Sequence, residues 1–282
     1  MSARNGYKPE MGRLSALIVA SHPGPGAAVT VFVGLLALSL GPPSPGLFLA
    51  ILVAVLSGQL IVGWTNDLID APRDAASGRV DKPVAQGVVA TTTVRRCVAV
   101  SGIVCVAFSL LLGVVPGIVH LVVGVGSAIA YNMGLKSTPV SWLPYTVAFG
   151  SVPVVVGLAV SDAMPPAWMV AVGALLGFGA HLVNVLPDIA DDTATGVRGL
   201  AHRLPERAVA PLAAAVLLVA SVVGLWGSGI FARGGAHAAI GTVALILVLG
   251  LAAVATTGHG RTPFRAAIMI AGVDVLVLLL PR

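Results

Sequence analysis

Nine runs of mostly apolar residues follow one another along the chain, at about 24–41, 46–65, 92–114, 116–133, 139–160, 166–186, 207–228, 236–257 and 264–280. A helix needs roughly 20 such residues to cross a bilayer, so the pattern predicts an all-α membrane protein with nine transmembrane helices. The connections are short except two, after the second and sixth runs, and both of these hold a cluster of acidic residues. No room is left for a soluble domain, and residues 1–282 read as one integral-membrane domain. Four helices separate the two clusters, so both lie at the same side of the membrane. That spacing, with Lys136 after the fourth run and Arg261 after the eighth, predicts two parallel four-helix halves plus a ninth helix around a central chamber.

Composition agrees with this reading. The 282 residues are 57% hydrophobic and 10% charged, with a mean hydropathy of +1.00, whereas a soluble domain carries about 25% charged residues. The basic residues set the orientation. With a cytoplasmic N-terminus, Arg4, Lys8, Arg13, Arg73, Arg79, Lys82, Arg95, Arg96, Lys136, Arg198, Arg203, Arg207, Arg261 and Arg265 all face the cytoplasm. Only Arg233 and Arg282 of the 16 basic residues then face outward. The net charge of +5 therefore reflects topology, not a nucleic-acid surface, and the expected location is the plasma membrane. No cleavable signal peptide is expected. Cys97 and Cys105 fall on one predicted helix, too far apart for a disulfide.

Most of the few carboxylates are spent on the two clusters. Asn66, Asp67, Asp70 and Asp74 recur at helical spacing, as do Asn184, Asp188, Asp191 and Asp192, so each set projects oxygen ligands from one helix face. Carboxylates are costly to desolvate unless paired, and at the membrane boundary they point to bound divalent metal. Mg²⁺ fits, because it takes carboxylates and water and shares its shell with substrate phosphates. Basic residues follow each cluster: Arg73, Arg79 and Lys82 after the first, Arg198 and Arg203 after the second. Acid beside base suits a metal-bridged polyphosphate.

Asn66-Asp67-x-x-Asp70-x-x-x-Asp74 resembles the first aspartate-rich motif of the UbiA superfamily of intramembrane prenyltransferases. The stretch Gly78 to Gly87 resembles that family's basic, proline- and glycine-containing loop, with Lys82 where Arg is common. Asn184-x-x-x-Asp188-x-x-x-Asp192, with Arg198 behind it, is similar to the second motif, and Tyr131 to Lys136 is similar to the tyrosine-to-lysine motif. The resemblance implies Mg²⁺-dependent ionisation of an isoprenyl diphosphate and capture of the carbocation by an unidentified lipophilic acceptor. It implies Asp67, Asp70, Asp74, Asp188 and Asp192 as metal ligands, with Asp191 as a ligand or its neighbour. Asn66 and Asn184 would support them. Lys82, Lys136, Arg198 and Arg203, with Arg73 or Arg79, would hold diphosphate, and Tyr131 would shield the cation.

One departure stands out. Family members often place Arg before Pro near the first span, where this chain has His22-Pro23. His22 puts a simple aromatic carboxylate acceptor in doubt; it is either an acceptor-side residue or an interfacial histidine beside a helix start. Asp274, deep in the ninth run, is expected to be hydrogen-bonded and structural. His181 is a candidate for the chamber wall, His120 for ordinary packing, and Tyr145 and Trp64 for aromatic shielding. Three alternatives stay open: a terpene cyclase of the same fold, transfer from a sugar diphosphate to a lipid phosphate, and a non-catalytic transporter.

Overall fold

The computed structural model describes residues 12–194, 196–257 and 262–279; Arg4, Lys8, Arg261 and Arg282 of the charge count lie outside them. Among the described residues the chain is helical, with turns between: α1 Arg13–Ala20, α2 Pro23–Leu40, α3 Pro45–Ala76, α4 Thr91–Leu110, α5 Val114–Asn132, α6 Leu143–Ser161, α7 Ala167–Val185, α8 Ile189–Ala194, α9 Glu206–Gly227, α10 Gly235–Thr257 and α11 Thr262–Leu278. Eight of these, α2 to α7, α9 and α10, have the length and apolarity to cross a membrane. The ninth expected span corresponds to α11, which has 17 residues and packs against α7, α9 and α10.

Local chemistry sets the ends of α3. Ser44 caps it, its Oγ accepting from Leu47 N at 3.3 Å, and Pro45 fills the first turn, where a missing N–H costs nothing. The helix then runs 32 residues, about 48 Å, and gives way at Gly78, which holds a φ of +70°. It is longer than the apolar run 46–65 and continues through Pro72, so the first acidic cluster rides on the helix instead of in a loop. The second cluster differs from expectation. Pro187 cannot donate a backbone hydrogen bond, so α7 stops at Val185, a 3₁₀ turn spans Leu186–Asp188, and α8 follows. Asn184 and Asp192 therefore do not share one continuous helical face.

Helices α2, α3, α4, α5 and α6 close on one another as successive neighbours, and α6 joins this ring to a second group formed by α7, α9, α10 and α11. Leu36, Ile51, Met169, Leu182, Leu217 and Ile270 are fully buried between them. Ile103, Val122, Ile246 and Leu276 are exposed, as a surface immersed in lipid requires.

Candidate active site

A cavity of about 570 Å³ opens between α2, α3, α5 and α6. Its deep walls are Val29, Phe32, Val33, Val55, Val152 and Val156, and its mouth is bordered by Arg79, Asp81, Lys82, Asn184 and Asp192. The chamber thus lies mainly within the first ring, and the α7–α8 junction touches only its mouth. From α3, Val55, Gln59, Val62, Asn66 and Asp70 face it, a stripe at the three- to four-residue spacing of one helix face. That stripe carries the chain from oil to carboxylate in about four turns.

The three aspartates of α3 are buried, with exposures of 2% for Asp67, 7% for Asp70 and 4% for Asp74. Buried carboxylates demand compensation, and cations of the chain itself supply it. Lys82 Nζ donates to Asp67 Oδ1 at 2.8 Å. Lys136 Nζ binds both oxygens of Asp70, at 2.6 Å to Oδ2. Asn66 Nδ2 donates to Asp70 Oδ2 at 3.1 Å and to Asn132 Oδ1 at 3.3 Å. Arg73 lies 3.2 Å from Asp70, 3.9 Å from Asp74 and 3.9 Å from Asp192, and so ties the first cluster to the second. Outside the membrane segment, Arg79 grips Asp81 through two bonds of 2.8 Å, and its guanidinium pulls the Asp81 carboxyl down to about 2.

His22 reaches the same cluster by a route that begins at Gly63. A Cβ on Gly63 would lie 2.2 Å from the Ser21 carbonyl oxygen, so only glycine admits the α1–α2 turn against α3. Trp64 Nε1 pins that turn by donating to Leu17 O at 2.9 Å. His22 takes a left-handed conformation (φ 53°, ψ 60°), and its Nε2 lies 2.9 Å from Asp67 Oδ1, one helical turn beyond Gly63. His22 lines the cavity. Neither α1 nor this contact is visible in the apolar pattern.

On the opposite wall Tyr131 and Tyr145 meet edge to face, with centroids 5.1 Å apart. Asn184 Nδ2 donates to Tyr145 OH at 3.3 Å. His181 stands behind both rings, 5.9 Å from Tyr131, with its Nε2 3.0 Å from Ser141 Oγ. It supports the wall without lining the cavity. His202, unremarked in the sequence, places Nε2 3.3 Å from Asp192 Oδ2. Arg198 and Arg203 are exposed and outside the cavity lining, and the side chains of Asp188 and Asp191 lie outside the described residues. Asp274 is remote from the cavity and bonded by Ser221, and Cys105 is buried against α3.

Hard oxygen donors on the cavity wall fit Mg²⁺. Among the described residues no three such side chains gather closely enough to enclose an ion, which suits a metal that completes its shell with water and phosphate oxygens. Asp70, Asp74 and Asp192 are the described candidates that line the cavity, and Asp67 stands just behind them on His22 and Lys82.

The model of the UbiA prenyltransferase family matches residues 27–271 of the chain. No curated protein sequence matches it. Among solved structures, a digeranylgeranylglyceryl phosphate synthase superposes with a TM-score of 0.71 at 16% identity, over 95% of this chain and 97% of that one. A UbiA homologue from Aeropyrum pernix K1 does so at 0.69 and 19% identity, over 95% and 99%. A UbiA homologue from Archaeoglobus fulgidus bound to GPP and Mg²⁺ gives 0.62 and 11% identity, over 94% and 98%.

Proposed function

The chain belongs to the UbiA prenyltransferase family, a multi-pass membrane protein, and from that premise we propose that it moves an isoprenyl group from an allylic diphosphate to a lipophilic acceptor. The observation that carries this reading is the meeting of buried Asp67, Asp70 and Asp74 with Lys82, Lys136 and Arg73 at the mouth of an apolar chamber. The A. fulgidus homologue holds GPP and Mg²⁺, which supports an equivalent donor here. The mouth faces the cytoplasm, by the distribution of Lys and Arg, and the membrane is the plasma membrane.

Mg²⁺ held by the two aspartate clusters would supply positive charge to the departing diphosphate. Lys82 and Lys136 sit where they turn from carboxylate to diphosphate oxygens, and Arg73 keeps the two clusters in register. Tyr131 and Tyr145 present ring faces and edges beside the point where the cation forms. Below them the valine and phenylalanine walls exclude water from it.

The test is diphosphate release from purified protein given geranyl, farnesyl or geranylgeranyl diphosphate, with Mg²⁺ or with EDTA. Release should require Mg²⁺ and vanish in Asp70→Asn while the variant stays folded. Undiminished release in that variant overturns the reading. A cyclic product from the diphosphate alone would reassign the chemistry to cyclisation.

A further inference from the structure

Three polar side chains line the chamber away from the carboxylates; Ser151 Oγ is spent on Ala148 O at 2.7 Å, which leaves Gln59 and His120. Gln59 lies seven residues before Asn66 on the same face of α3, about 10 Å further in. Its amide lines the cavity and makes no hydrogen bond among the described residues. His120 belongs to the π-helical turn Val119–Val125 within α5, the kind of local widening that recurs at functional sites. Its Nδ1 is 2.8 Å from Ser109 Oγ, which fixes the ring and leaves Nε2 without a partner among the described residues. A Cβ on Gly58 would meet that Nε2 at 3.6 Å, and one on Gly124 would meet His120 Cδ2 at 3.7 Å and Ser151 Oγ at 3.8 Å. Glycines on two elements thus pack against the imidazole edge, and His120 and Gly124 both line the cavity.

An amide and an imidazole nitrogen in such a wall are costly unless something pairs with them. An isoprenyl chain has no group to do so. An acceptor with an oxygen function does. Lys and Arg among the described lining residues are confined to the mouth, so the deep pair offers hydrogen bonds without a cationic partner. Gln donates and accepts, and a neutral imidazole nitrogen does one or the other by tautomer. That chemistry suits a hydroxyl or carbonyl, and offers a carboxylate hydrogen bonds but no counter-charge, so the anion would be the weaker ligand.

Resting on the transferase reading, we propose that Gln59 and His120 form the recognition site for a neutral hydroxyl or carbonyl group of the lipophilic acceptor. The test uses radiolabelled 1-naphthol and 1-naphthoic acid as neutral and anionic probes, titrated onto the full chain in lipid nanodiscs against empty nanodiscs. Naphthol should bind saturably, and naphthoate at least about tenfold more weakly. The near-isosteric Gln59→Met and, separately, His120→Phe should each weaken naphthol by about tenfold, the loss of a buried hydrogen bond. Binding of Mg²⁺-pyrophosphate, at the mouth, reports that each variant is folded, and His120→Phe decides if Gln59→Met loses it. Equal binding of the two probes, no saturable naphthol binding, or naphthol affinity unchanged in folded variants overturns the proposal. None of these readouts needs turnover, so failure of diphosphate release would sink the transferase reading separately.

Discussion

Gly63→Ala tests the whole path from backbone to site. The new Cβ would stand 2.2 Å from Ser21 O and 2.6 Å from Ser21 C. Ordinary contact lies near 3.4 Å or beyond, so the turn must retreat by about 1 Å, and no rotamer relieves a clash with backbone. Overpacking of this kind costs about 1–3 kcal/mol, which lowers Tm by several degrees in detergent. The same retreat stretches the 2.9 Å His22–Asp67 contact beyond hydrogen-bonding distance. A hydrogen bond to a charged group is worth about 1.5–3 kcal/mol, so if it matters to the reaction the rate falls about ten- to a hundredfold. The assay is Mg²⁺-dependent diphosphate release in Gly63→Ala, His22→Ala and the double variant. Because both changes act through one contact, the double variant should be no slower than the worse single variant. Wild-type Tm and rate in Gly63→Ala would refute the packing argument. Additive losses would refute the route through His22.

Other variants probe separate links. Arg73→Lys keeps the charge but not the planar fork that reaches Asp70, Asp74 and Asp192, so pyrophosphate affinity measured calorimetrically should fall at least about tenfold; unchanged affinity would mean the bridge is incidental. Asp81 titrates at about 2 under Arg79. A depressed carboxyl contributes fully above its ordinary value and loses that contribution only as pH falls through about 2. Asp81→Asn should therefore change pyrophosphate affinity by a constant factor between about pH 5 and 8, and a factor that varies with pH in that window would contradict the pairing. Asp274→Leu leaves Ser221 still bonded to the Leu217 carbonyl and removes a carboxyl oxygen with no partner. Its Tm should hold or rise with activity intact, and lost activity in a folded variant would give Asp274 a functional role.

The apolar runs were legible because lipid imposes a composition on every span and leaves little choice of secondary structure. The first acidic cluster was legible for a related reason: helical spacing is local, and Asp67, Asp70 and Asp74 need only α3 to stand together. The second cluster has the same spacing, yet its helix breaks at Pro187 while α3 continues through Pro72, so a proline in the pattern does not by itself tell the two apart. What spacing does not carry is pairing across the fold. His22 finds Asp67 45 residues away and Lys136 finds Asp70 66 residues away. The first contact depends on a glycine whose role shows only when its neighbour is known. Gln59 and His120 look like ordinary exceptions within apolar runs until the cavity places both on its wall.

The division between Lys and Arg around the mouth follows from what each side chain does. Arg73 and Arg79 are forks engaged within the chain, one across three carboxylates and one bidentate on Asp81. Lys82 and Lys136 are flexible point charges on single aspartates. In the proposed reaction the buried carboxylates need balancing positive charge both without metal and diphosphate and with them, because burial tolerates little unpaired charge. That requires cations able to leave Asp67 and Asp70 and follow the diphosphate oxygens. A lysine can make that move at small geometric cost, whereas a guanidinium paired through two bonds must break both. Asp67 pairs with Lys82 and His22 but no guanidinium, whereas Asp70 also holds Arg73, so the Asp67 side of the mouth is the more readily exchanged one.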